Sequence, residues 1–197
     1  MLANRTQYFV KQHAAVLKLT GAYDILDPET QAVVGQAVEV PPTWAKFLRI
    51  LVNKALLPTS VVVTEAGRTT PFLTLHKKPG FLTQRVVIVN AAGQEIGVFQ
   101  TKAFSLKARL PLSAPDGRAL GELQGDWKAW DFSFKDPTGR ELGKITKKWA
   151  GLGRELFTTA DSYMIAASEA AAALPNAGVL LLAAGLSIDL ALKESSG

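Results

Sequence analysis

The chain has 197 residues, of which 48% are hydrophobic and 20% are charged, a composition typical of globular rather than disordered proteins. This length predicts one domain that covers residues 1–197. The net charge of +5 allows an anionic partner, although it can also serve solubility alone. The sequence contains no cysteine, which excludes disulfides, thiolate metal sites, cysteine nucleophiles and anchoring by S-acylation.

The N-terminal residues contain neither a continuous apolar segment nor a small-residue cleavage site. They do not resemble a secretory signal, so we expect a cytoplasmic protein.

Most of the chain up to Ile145 has the sequence pattern of β-hairpins. Alternating apolar runs flank turns that contain Asp or Asn and usually Gly. Four such hairpins are predicted at Tyr23–Glu39, Val86–Phe99, Leu110–Leu123 and Phe132–Ile145, and a further strand pair at Ser60–Glu65 and Thr70–His76. We therefore predict a mainly β fold, a closed antiparallel barrel of about 12 strands.

One segment interrupts the β pattern, because an amphipathic helix is predicted near residues 42–57. This helix can lie across the barrel and close one end. Alternatively, it can be a basic helix at a membrane surface. The candidate membrane contacts are Trp44, Lys46, Phe47, Arg49 and Leu51.

The C-terminal segment Ala177–Leu192 predicts a helix that is apolar on all sides except at Asp189. Its roughly 16 residues span about 24 Å, less than the ~30 Å hydrocarbon core of a bilayer. We therefore expect the helix to be buried inside the barrel rather than in lipid. The central positions of this helix are Leu180, Leu181, Leu182, Leu186, Ile188 and Asp189.

A basic cluster precedes that helix. Lys144, Lys147, Lys148 and Arg154 surround Trp149, a combination suited to an anionic lipid head group or to a solvated rim. We expect no nucleic acid partner. Because His13 and His76 fall in separate predicted strands, without the Asp, Glu or Ser pattern of a triad, we expect no enzyme activity, no cofactor and no metal.

The segment Gly139–Ile165 together with the apolar tail resembles the C-terminal half of phospholipid scramblases and LURP-one-related proteins of the tubby-like superfamily. The matching motifs are Gly143-Lys144-Ile145, Lys148-Trp149, Glu155-Leu156-Phe157-Thr158, Ala160-Asp161 with Tyr163, and Ile188-Asp189 in the tail. The resemblance implies a twelve-stranded barrel around a central C-terminal helix. It also implies lipid binding, since tubby-like relatives bind phosphoinositides through basic barrel residues.

The chain departs from animal scramblases in two features that the resemblance makes relevant. It lacks their cysteine cluster, and the segment that follows Asp161 has too few carboxylates to provide the six to eight oxygen ligands of calcium. We therefore expect a non-catalytic barrel protein that is cytoplasmic or peripheral at the membrane and binds anionic phospholipid or another ligand. A membrane-inserted lipid scramblase and a soluble structural or interaction module remain open, as does the oligomeric state.

Overall fold

A computed structural model of the chain describes residues 1–13, 21–48, 57–78, 83–102, 108–126, 128–148, 162–174 and 176–195. These residues form twelve strands and two α-helices. The first six strands are β1 (Gln7–Gln12), β2 (Ala22–Leu26), β3 (Val33–Val40), β4 (Thr59–Glu65), β5 (Pro71–Lys78) and β6 (Thr83–Asn90). The other six are β7 (Glu95–Lys102), β8 (Ala108–Ser113), β9 (Ala119–Asp126), β10 (Asp131–Lys135), β11 (Glu141–Thr146) and β12 (Ser162–Ala167). The helices are α1 (Thr43–Leu48) and α2 (Ala177–Ser195).

The described strands close into one antiparallel barrel, which confirms the predicted fold class. Each strand pairs with its neighbours in sequence, and β1 closes the barrel by pairing with β12, where Val10 lies opposite Tyr163. Closure leaves none of the strands in this sheet with an unpaired edge.

The four predicted hairpins are confirmed, and glycine explains the shape of the turn in three of them. Gly93, Gly117 and Gly139 have φ angles of +76°, +87° and +89°, which favour glycine because it has no Cβ. Each of their N–H groups donates to the carbonyl of the residue three positions earlier, at 2.9 or 3.0 Å. A second glycine follows four residues later in each hairpin and belongs to the next strand.

Helix α2 lies inside the barrel. Leu180, Leu181 and Leu182 are at most 2% exposed, and Leu186 and Ile188 are 1% and 0% exposed. Gly143, the second glycine of the last hairpin, allows this close packing, since a Cβ there would lie 2.8 Å from Cδ1 of Leu181. The predicted central helix is therefore the core of the fold.

The two ends of the barrel differ. Short turns join β2 to β3, β4 to β5, β6 to β7, β8 to β9 and β10 to β11 at one end, which we call the turn end. The opposite end receives the β3–β4 connection, which contains α1, and we call it the α1 end. Helix α2 starts at the turn end, where Gly178 contacts the Arg5 carbonyl, and runs toward the α1 end.

The helix predicted near residues 42–57 is confirmed over Thr43–Leu48. The remainder of that prediction, residues 49–56, lies outside the described residues.

Candidate functional site

An exposed apolar surface lies at the α1 end, where the outer face of β3 continues into α1. Its members are large hydrophobic side chains with unusually high exposure: Val38 at 43%, Val40 at 49%, Trp44 at 56% and Leu48 at 37%. We call these four residues the apolar patch. Contiguous exposed apolar side chains on a protein surface typically mark a contact site for a membrane or another molecule.

The predicted membrane-contact residues fall on or next to this patch. Trp44 belongs to the patch, and Lys46 is exposed on the same short helix. The backbone of Phe47 is part of α1, but its side chain lies outside the described part of the structure, as do Arg49 and Leu51.

The predicted basic cluster is divided by the structure. Lys144 is exposed on the outer wall of β11, and Lys148 is exposed just beyond the end of that strand. Lys147 is partly buried, with its Nζ atom 4.9 Å from the ring centroid of Trp130. Trp149 and Arg154 lie outside the described residues.

Trp130 explains the position of Lys147. Its indole ring is 9% exposed, stacks on Tyr163 with ring centroids 4.6 Å apart, and meets Phe132 edge to face. The Trp130 backbone has a φ angle of +50°, and its carbonyl accepts a hydrogen bond from the Lys147 N–H at 3.1 Å. The Lys147 ammonium therefore covers an aromatic face in a cation–π contact, which is an intramolecular role.

Charged side chains are distributed differently at the two ends of the barrel. At the turn end, Arg68 and Arg140 pair with the nearby carboxylates of Glu65 and Asp136 at 3.5 and 3.1 Å, and Arg5 pairs with Asp27. At the α1 end, exposed lysines take part in none of the ion pairs among the described residues. These lysines are Lys46, Lys78, Lys128 and Lys148.

Asp126 and Asp131 are also exposed at the α1 end and reduce its net positive charge. The Asp126 carboxylate is occupied locally, since its Oδ1 atom accepts hydrogen bonds from the N–H groups of Lys128 and Ala129 at 2.7 and 3.3 Å. The four unpaired lysines still outnumber these two acids.

A group of polar side chains lies inside the barrel near the α1 end, and we call it the inner polar cluster. Its members are Gln12, Tyr23, Glu39, Tyr163 and Asp189. The Tyr23 hydroxyl donates a hydrogen bond to Oδ2 of Asp189 on α2. Glu39 accepts hydrogen bonds from the Thr59 hydroxyl and the Gly21 N–H, both at 2.9 Å.

Electrostatics inside this cluster follow from burial. Desolvation raises the pKa of the Tyr23 phenol well above its ordinary value, and the nearby Asp189 carboxylate raises it further. The pKa of Tyr163 is raised for the same two reasons. Both phenols therefore stay protonated and can donate hydrogen bonds at neutral pH.

Sequence reasoning identified Asp189 as the exception in an apolar helix but found none of its partners. The alternating pattern places Tyr23 on an inward face, yet closure of the barrel around the helix is needed to bring it to α2. Among the described residues, no group of three or more His, Cys, Asp or Glu side chains is arranged to hold a metal ion.

The comparison with protein families decides the affiliation. A family model described as Scramblase matches residues 65–194, which is more than half of the chain. The chain belongs to the scramblase family. This match includes the strands from β5 to β12 and nearly all of helix α2, and it confirms the resemblance seen in the sequence. No curated protein and no solved structure matched the chain.

No helix in the described ranges has both the length and the hydrophobicity that crossing a bilayer requires.

Proposed function

We propose that this scramblase-family protein acts without catalysis as a lipid-binding barrel that attaches peripherally, from the cytoplasmic side, to anionic membranes through its α1 end. The observation that carries the proposal is the coincidence of the apolar patch with unpaired lysines at one end of the barrel. Family membership supports a lipid-related role. The resemblance of the sequence motifs to tubby-like and LURP-one-related proteins agrees with that role.

The apolar patch supplies the contact with the lipid interior. Trp44 and Leu48 belong to a helix whose exposed residues also include Lys46. A surface helix that combines aromatic and aliphatic residues with lysine binds at the boundary between head groups and acyl chains. Val38 and Val40 are exposed on the strand that precedes this helix, at the same end of the barrel.

The lysines supply the attraction to anionic head groups. Lys148 follows β11, which is four strand positions around the barrel from β3, the strand that carries Val38 and Val40. At a strand spacing of about 4.8 Å, this is about 19 Å along the wall. Each basic residue near an anionic surface contributes about 1 kcal/mol to attachment. Attachment should therefore weaken as salt rises, since the screening length is about 8 Å at physiological ionic strength.

The proposal is tested by co-sedimentation with vesicles of phosphatidylserine and phosphatidylcholine. The double variant Trp44→Ala and Leu48→Ala should lose most binding, because it removes apolar side chains that enter the lipid. The matched control is Val33→Ala, which removes an equally exposed hydrophobic side chain from the turn-end half of β3 and should bind as the wild type does. Equal loss in both proteins would contradict the proposal.

The electrostatic part is tested by charge reversal. Lys46→Glu and Lys148→Glu should weaken binding to anionic vesicles, and Arg118→Glu at the turn end should not. Lys147 is unsuitable for this test because its ammonium packs on Trp130, so its replacement alters the fold as well as the charge. Unchanged binding in both lysine variants would remove the basic residues from the proposed contact.

A further inference from the structure

Two buried polar groups in the inner polar cluster have no hydrogen-bond partner among the described residues. Gln12 is 6% exposed and Tyr163 is 1% exposed, and the groups concerned are Nε2 of Gln12 and the Tyr163 hydroxyl. Buried donors are almost always satisfied in folded proteins, so an unpaired one calls for an explanation, of which a bound water or ligand is one. Both groups belong to side chains that face the barrel interior.

The two unpaired groups lie on neighbouring strands. Tyr163 on β12 is opposite Val10 on β1, and Gln12 is the next inward residue along β1. Gln12 is in turn opposite Tyr23 on β2. Side chains on one face of adjacent strands are within reach of each other at these spacings, so the two groups can contact one molecule.

Carboxylates border the same space. Asp189 accepts the Tyr23 hydrogen bond from the α2 side. Glu39 approaches Tyr23 from the other side, since a Cβ on Gly21 would lie 3.2 Å from the Tyr23 hydroxyl and 3.4 Å from Oε2 of Glu39. A carboxylate has about four acceptor positions, so one such group can accept hydrogen bonds from more than one donor.

These groups select for a particular chemistry. The Gln12 amide nitrogen can only donate, the carboxylates can only accept, and the Tyr163 hydroxyl can do both. A hydroxyl group on a ligand can pair with each of these three kinds of group, because it can accept one hydrogen bond and donate another. Charges of both signs border this region, since Lys77 is 3% exposed and lies opposite Thr59, the donor to Glu39, so neither an anion nor a cation meets charges of only the opposite sign.

The orientation of Tyr163 is fixed before any ligand binds. Its ring stacks on Trp130 at 4.6 Å, and a Cβ on Gly185 of α2 would lie 3.0 Å from its ring edge. A hydroxyl held in this way loses little freedom on binding, which favours recognition.

We propose that the inner polar cluster binds a small uncharged polyol, either free or as the terminal group of a lipid head group. Hydroxyl groups of the polyol accept from Gln12 and Tyr163 and donate to Asp189 and Glu39. The free form is independent of the proposed membrane attachment, whereas the head-group form rests on it.

Saturation-transfer NMR of the full chain with millimolar glycerol or glucose tests the binding chemistry. Tyr163→Phe removes the unpaired hydroxyl and keeps the stacked ring. The matched control is Tyr8→Phe, since the Tyr8 hydroxyl is also buried but bonds to the Leu2 carbonyl at 2.7 Å, away from the cluster. We expect transfer in the wild type and in Tyr8→Phe, and about tenfold weaker binding in Tyr163→Phe.

A second variant, Gln12→Met, should weaken binding similarly while keeping the length of the side chain. The proposal is overturned by an absence of transfer in the wild type, which would leave ordered water as the occupant. Transfer of equal strength in Tyr163→Phe would also overturn it.

Vesicles distinguish the two sources of the polyol. Phosphatidylglycerol and phosphatidylmethanol carry the same charge, but only the first presents a glycerol head group. A preference for phosphatidylglycerol that disappears in Tyr163→Phe supports the head-group form. Equal binding to both lipids, together with transfer from glycerol, supports the free form. Transfer from glycerol without binding to either vesicle supports the polyol site and contradicts only the membrane proposal.

Discussion

The hydroxyl of Tyr23 on β2 donates a hydrogen bond to Oδ2 of Asp189 on α2, linking two residues 166 positions apart. The bond joins the barrel wall to the central helix near the α1 end. Asp189 is 9% exposed, so its carboxylate depends on protein donors rather than on water.

Replacing Tyr23 should therefore destabilise the fold. Tyr23→Phe leaves the Asp189 carboxylate without this donor, and we expect the free energy of unfolding to fall by about 1 to 3 kcal/mol in urea denaturation. Asp189→Leu removes the carboxylate itself. The double variant should be less destabilised than the sum of the single variants, by about 0.5 to 3 kcal/mol. Strict additivity would show that the two residues are not coupled.

The close approach of α2 to the wall should make Gly143 sensitive to substitution. A Cβ there would lie 2.6 Å from the Ala166 carbonyl oxygen and 2.8 Å from Leu181, so Gly143→Ala should cost about 1 to 3 kcal/mol through overpacking. Gly139→Ala is the control, because its Cβ would meet nothing within 4 Å and it suffers only backbone strain. Thermal denaturation should show a lower melting temperature for Gly143→Ala than for the wild type, and an unchanged melting temperature would be inconsistent with the packing.

Much of the barrel could be predicted from the sequence because its signals are local. The turn residues and the alternation around Gly93, Gly117 and Gly139 lie within a few positions of each other, and the apolar helix at Ala177–Leu192 is continuous. The structure extends that helix to Ser195.

The candidate sites depend on pairing between distant residues and were less predictable. Lys144 and Lys147 are three positions apart, yet one faces solvent on the wall and the other covers Trp130. Tyr23, which donates to Asp189, comes from β2, and sequence spacing gives no indication of this pairing. The exposure of Val38 and Val40 could be learned only from the structure, because the alternating pattern of β3 does not show whether other residues cover its outer face.

Acid should weaken the turn end through Asp27. Hydrogen bonds from the Thr30 N–H and from Arg5, together with the Glu29 N–H, hold the pKa of Asp27 far below its ordinary value of 3.8. A carboxyl group with a lowered pKa in the folded state contributes stability above its unfolded pKa, and this contribution is lost as the pH falls further.

We therefore expect the free energy of unfolding to decrease below about pH 4, and to decrease less in Asp27→Asn. Chemical denaturation across a pH series measures this dependence. Glu29→Gln is the control, since the exposed Glu29 carboxylate makes no hydrogen bond among the described residues. An Asp27→Asn profile identical to that of the wild type would exclude Asp27 as the source.

Removal of the central helix should abolish folding. A chain that ends at Leu174 lacks the buried apolar residues of α2, among them Leu180, Leu181, Leu182, Leu186 and Ile188. Replacing one buried Leu by Ala costs about 2 to 5 kcal/mol. The combined loss therefore exceeds the stability of a typical domain, which is about 5 to 15 kcal/mol. The truncated chain should show no cooperative thermal transition by circular dichroism. A folded, cooperatively melting Met1–Leu174 would show that residues 1–197 do not form one interdependent unit.

The orientation of the barrel on the membrane is the central claim, and spin labelling measures it directly. Because the chain contains no cysteine, Leu48→Cys and Arg118→Cys each introduce a unique labelling site, one in the apolar patch and one at the turn end. On vesicles that contain phosphatidylserine, the label at position 48 should become accessible to oxygen in lipid and protected from a water-soluble relaxation agent, while the label at position 118 stays in water. A bound protein whose label at position 48 remains fully aqueous, or whose label at position 118 enters the lipid instead, would contradict the account.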